Sequence, residues 1–187
     1  MKFITKLILP FIIISSQAQA QLPPPVDLQI QNITQETHVW CWAAVAQQII
    51  FRLKGPSQTP PQCVLVSTAF NIPPGYCCQF PSPCMSTGSL QQIQALIAFY
   101  GGSWSSIAQP TNPVTIYRTL ASGRAIIMAV QSSPYSGHVV VLRGMAWVST
   151  PFGVKPVLYI NDPMAYFTQP VPFETISSYW GAAIVVH

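Results

Sequence analysis

The chain has 187 residues, half of them hydrophobic, with 19 prolines and only 6% charged side chains. Disorder needs low hydrophobicity or high charge, and both are missing. A formal net charge of +4 without a basic cluster excludes a nucleic-acid footprint, and Asp27, Glu36, Asp162 and Glu174 are the only carboxylates available for chemistry.

Residues 1–20 read as a signal peptide. Lys2 and Lys6 make a basic start, Leu7 to Ile14 is apolar, and Ala18-Gln19-Ala20 is a small-x-small cleavage site. No later apolar run approaches a membrane span. The expectation is a protein exported to the periplasm or the medium, with no membrane contact once the leader is removed. Residues 21–34 form a Pro-rich N-terminal segment. Leu22-Pro23-Pro24-Pro25-Val26 is too stiff and too poor in donors for a central strand, and is expected along the surface.

The next stretch, Gln35-Glu36-Thr37-His38-Val39-Trp40-Cys41-Trp42-Ala43-Ala44, reads as a loop turning into a helix at Cys41. Ala44, Val45, Gln48 and Ile49 fall near a 3.6 period, and Gly55-Pro56 is a stop signal. A cysteine in the first turn sits among unpaired N–H groups at the positive end of the macrodipole, which favours the nucleophilic thiolate. The plain alternative is a buried structural cysteine, a common fate of the residue.

Residues 58–87 are Pro-rich and hold Cys63, Cys77, Cys78 and Cys84. In an exported protein these four are expected as two disulfides, leaving Cys41 as the odd thiol. A Cys77–Cys78 bridge would strain the intervening peptide. One of the two therefore joins Cys63 and the other Cys84, with the choice open. A zinc site competes, but two separated C-x₂-C knuckles are lacking.

Ser89 to Tyr100 is a helix closed by Gly101-Gly102, and Asn112-Pro113 opens another that runs to about Ser122. From Arg124 the texture turns to short β-branched runs: 125–130, 138–142, 157–160 and 182–186. Helices first and strands afterwards indicate an α+β domain with a largely antiparallel sheet.

Two polar features stand out among the strands. His138 opens a hydrophobic strand, as either a satisfied core group or a base for a thiol. The run Tyr159-Ile160-Asn161-Asp162-Pro163 ends a strand in two polar residues. A carboxylate there can orient an imidazole, or merely make a turn with the proline.

With Gln35 six residues before Cys41, Cys41-Trp42-Ala43-Ala44, Cys77-Cys78 and Cys84, Gly137-His138-Val139-Val140-Val141 and Ile160-Asn161-Asp162-Pro163, the chain resembles the papain-like cysteine peptidases. The resemblance is to a bacterial secreted branch that includes effector proteases of plant pathogens. It implies a compact papain-like fold over residues 35–187, a nucleophile helix set against an antiparallel sheet, and no metal or organic cofactor. It also implies Cys41 as nucleophile, His138 as base, Asp162 as orienting acid and Gln35 as oxyanion donor. Asn161 is the rival third member, because papain-like enzymes often use Asn there, and neighbours on a strand face opposite ways, so only one of the two can address His138. The 97 residues from Cys41 to His138 are fewer than the roughly 130–150 of the plant and lysosomal enzymes.

The expected activity is hydrolysis of protein or peptide substrates. Two other readings compete: a peptidoglycan endopeptidase or amidase with the same triad, and a non-catalytic disulfide-stapled binding or toxin module. With no long inhibitory segment before Gln35, regulation would fall to a separate inhibitor or immunity protein, or to redox state.

Overall fold

A computed structural model describes residues 21–131 and 137–187, so the leader expected at 1–20 lies outside the described residues. A six-stranded antiparallel sheet runs β5-β4-β3-β2-β6, with β1 (Val26–Asp27) pairing on β3. The long strands are β2 (Ala125–Gln131), β3 (Gly137–Thr150), β4 (Gly153–Asn161) and β6 (Trp180–Val186), with β5 reduced to Val171–Pro172. Mixed helices and antiparallel strands are the α+β architecture expected of a papain-like domain.

Helices cover both faces of the sheet. On one face α1 (Cys41–Lys54), α2 (Gln62–Ala69) and α4 (Leu90–Phe99) share a core with Ile127, Val141 and Ile184. On the other, α5 (Pro113–Ala121) and α6 (Phe173–Ser177) bring Ile116, Leu120 and Ile176 against Met128, Val140, Leu142 and Leu158. Two covered faces explain why 125–130 is a continuous apolar run rather than an alternating one. Both sets of side chains in β2 leave water.

The helix starts follow local chemistry. Ser89 and Gln92 make a capping box for α4, and Asn112 caps α5 ahead of Pro113. In contrast α1 begins at Cys41 with no side-chain cap and no acid in its first turn. Its first N–H groups are therefore left for something else.

The Pro-rich segment is more structured than its composition suggests. Besides α2 it contains the one-turn helix α3 (Tyr76–Gln79). Cys63 joins Cys78 and Cys77 joins Cys84, while Cys41 is free. Closing loops of 15 and 7 residues removes denatured-state entropy worth about 2–4 kcal/mol per bridge. This segment forms a stapled wall beside α1.

The N-terminal segment lies on the surface as far as Pro25 and then enters the fold at β1. It fits against Gly144, where any side chain would meet the Val26 carbonyl and Tyr159. The β3–β4 register shifts between Leu142 and Gly144, so Arg143 is an extra residue. Its side chain contacts Asp27 and donates to Asn161 Oδ1 at 3.0 Å.

Candidate active site

Cys41 is the first residue of α1 and partly exposed, at the floor of a groove of about 340 Å³. Val39, Trp42, Thr87, Gly88, Leu90, Ala129, Gly137, His138 and Val139 complete the lining. The two tryptophans beside Cys41 are buried and tied to the stapled wall. Trp40 Nε1 donates to the Cys84 carbonyl at 3.0 Å, and Trp42 Nε1 to the Ser86 carbonyl at 3.2 Å. Gly88 lies flat on the Trp42 indole, where a Cβ would collide with the ring. The groove wall and the cysteine-bearing turn are thus one packed unit.

His138 enters from the sheet, paired with Val130 at the start of β3 and 2% exposed. Its Nε2 lies 2.6 Å from Asp162 Oδ1, and its ring lines the same groove as the Cys41 thiol. With Nε2 committed to the carboxylate, Nδ1 is the nitrogen left for sulfur. Burial alone would lower the His138 pKa. The hydrogen bond and charge of Asp162, with the Cys41 contact, override it and lift the pKa from 6.5 to about 9.

Asp162 is the first residue beyond β4 and 1% exposed. Burial would raise its pKa, but the bonds from His138 and from the Met164 and Phe167 amides hold it below its ordinary value. Oδ1 accepts from Met164 N–H at 2.8 Å, while Oδ2 accepts from Tyr166 and Phe167 N–H at 2.8 and 3.1 Å. Ala165, in the left-handed region at φ 58°, turns the chain so that these amides converge. Tyr166 sets its ring edge-on to His138, with centroids 5.7 Å apart.

Asn161 faces away from this cluster. Its Nδ2 donates to the Ile30 carbonyl at 2.8 Å and its Oδ1 accepts from Arg143. Gln35 lies beside a second groove of about 320 Å³ that also involves His38, Pro163 and Met164. Gln35 Nε2 donates to the Thr37 carbonyl at 2.6 Å, which fixes the amide's orientation and leaves one N–H uncommitted. His38 is exposed in that second groove, and His187 is exposed at the chain end. Sequence reasoning missed the Asp162 amide cradle and Tyr166. Pro163 was the one signal that the chain turns sharply there.

A thiol at an uncapped helix head, facing a buried imidazole held by a carboxylate, is the equipment of a papain-like cysteine peptidase. The family model described as papain-like cysteine protease AvrRpt2 matches residues 20–180, and the chain belongs to that family. It is a cysteine peptidase, a hydrolase acting on protein or peptide substrates. No curated protein matches the chain. Among solved structures, the chain is similar to the peptidase domain of Streptococcus ComA, a bifunctional ABC transporter involved in quorum sensing. That match has a TM-score of 0.60 at 14% identity and covers 84% of this chain and 97% of that one. At such identity the likeness establishes the fold.

Proposed function

We propose that this protein is an exported thiol protease working through Cys41, His138 and Asp162. The observation that carries the reading is the buried His138–Asp162 pair opening on the same groove as the free Cys41 thiol at the head of α1. His138 takes the thiol proton, and the Cys41 sulfur attacks the peptide carbonyl carbon. The oxyanion is held by the Cys41 N–H at the helix head and the free N–H of Gln35. His138 returns the proton to the leaving amine, giving a thioester. Water, deprotonated by the same imidazole, then releases the acid and restores the thiol. Asp162 keeps the imidazole aligned and favours its charged form throughout.

Export is supported by the leader-like residues 1–20 and by two disulfides, which persist in oxidising compartments. No helix among the described residues is long and apolar enough to cross a membrane. The test is to label the unreduced protein with E-64 near neutral pH and map the adduct by mass spectrometry. Modification at Cys41 with loss of casein hydrolysis is expected. An inert Cys41 alongside retained hydrolysis defeats the reading.

A further inference from the structure

We propose that Gln48 and Gln62 are positioning residues that hold the Gln35 amide where the oxyanion forms. The proposal rests on the reading of Gln35 as oxyanion donor. Both are buried carboxamides, Gln48 on α1 at 0% exposure and Gln62 at the start of α2 at 1%. Burying an amide is costly unless its hydrogen bonds are made. Both direct their Nε2 donors, and Gln62 its Oε1, onto the segment around Gln35 and its neighbours, while Gln48 Oε1 has no partner among the described residues.

Gln48 Nε2 donates to the Ile33 carbonyl at 3.2 Å and to Asn32 Oδ1 at 3.1 Å. Gln62 Nε2 donates to the Thr34 carbonyl at 2.8 Å and to Gln47 Oε1 at 3.0 Å. Gln62 Oε1 accepts from Glu36 N–H at 2.8 Å, and Glu36 Oε1 accepts from Gln62 N–H at 3.3 Å. The Gln35 N–H itself donates to the Pro163 carbonyl at 3.2 Å. Backbone groups on both sides of Gln35 are therefore gripped by helices α1 and α2, and its own amide by the Asp162 loop.

Residues 28–35 belong to no helix or strand, so their backbone groups depend on such partners. A loop held by water at these points would let Gln35 wander. Donor placement governs oxyanion stabilisation, so the two glutamines set the rate through Gln35 without touching substrate. The helix that carries the nucleophile also carries Gln48, which links sulfur and oxyanion donor through one rigid element.

Two reactions of Cys41 separate this role from a merely structural one. Peptide hydrolysis passes through an oxyanion. Alkylation by iodoacetamide displaces iodide at a saturated carbon and forms none. Full-length Gln62→Met and Gln48→Met variants should lose about tenfold or more in kcat, approaching the 10²–10³ of outright donor loss. Their KM and Cys41 alkylation rates should stay within about twofold of the parent. Gln35→Ala should show the same signature at larger size, and adding Gln62→Met to it should cost nothing further. If a Met variant does not fold, Gln62→Asn and Gln48→Asn, each one methylene shorter, carry the same comparison.

Unchanged kcat in the Gln48 and Gln62 variants beside an impaired Gln35→Ala overturns the proposal alone. So do parallel losses of hydrolysis and alkylation, or additive losses in the double variant. Full activity in Gln35→Ala removes the underlying reading of Gln35, and this proposal with it.

Discussion

The helical side of the groove and the sheet side fix their reactive groups by different means. His138 and Asp162 stand at strand ends, where the ladder and three backbone amides locate them. Cys41 stands on a helix whose surroundings are held by two disulfides, two indole N–H bonds and two buried glutamines. Main-chain hydrogen bonds supply the precision on one side, side-chain and covalent ties on the other. The difference teaches where damage should be local and where it should spread.

The largest effect is expected from the sheet side. His138→Ala should lower kcat by orders of magnitude, because members of the proposed triad act as a unit. Casein hydrolysis and thermal unfolding measured together should show activity gone and the fold retained. Substantial residual activity would instead point to His38.

The adjacent pair Asn161 and Asp162 sharpens the comparison. Asp162→Ala should cut kcat strongly, while Asp162→Asn should keep part of it, since an amide oxygen can still accept from the imidazole. Asn161→Ala should leave kcat nearly intact but cost about 1–3 kcal/mol of stability by orphaning the Ile30 carbonyl and removing the acceptor of Arg143 Nε. Urea unfolding of the three variants checks the split. A kcat collapse in Asn161→Ala would reverse the two roles.

The smallest effect is a pH dependence. His138 is raised from 6.5 to about 9, so its pairing stabilises the fold fully below 6.5 and is lost as pH climbs through about 9. Asp162 is held below 3.8, so its contribution is present above that value and lost as pH falls through the lowered pKa. Unfolding free energy should therefore be highest between about pH 4 and 6.5 and decline toward pH 9–10. In Asp162→Asn the alkaline decline should shift to lower pH. An unshifted decline would mean that another group governs it.

Much of the architecture was legible because it is written locally. Gly55-Pro56 stops α1 where expected, and Asn112-Pro113 starts α5 where expected. Helix α2 was hidden by the prolines on either side of it. β3 was expected to be shorter because the bulge at Arg143 interrupts its pattern. The disulfide partners of Cys77 and Cys78 were left open, since neighbours on the single turn of α3 project in directions set only by packing. Gln62 gave no signal, and Gln48 showed only as a polar residue on the periodic stripe of α1. A buried glutamine looks in sequence like any solvated one, and its partners lie 15 to 28 residues away. Of the grouped residues, Cys41 and His138 could be singled out by residue type and flanking pattern, the choice of Asp162 over Asn161 came from the family resemblance, and the amide cradle depends on a left-handed alanine.

Thiol proteases are ordinarily handled with a reducing agent to protect the sulfur, but here the same agent attacks the wall that clasps it. The indoles of Trp40 and Trp42 hang from carbonyls at and just beyond Cys84, one end of the Cys77–Cys84 bridge. Opening that bridge frees the anchor points on both flanks of Cys41. Hydrolysis should accordingly follow a bell-shaped curve against dithiothreitol, rising as oxidised sulfur is recovered and falling as the bridge opens. The falling limb should coincide with a red shift of tryptophan emission. Such a protease would carry its own address: active where proteins are oxidised, and slack once it reaches a reducing cytosol.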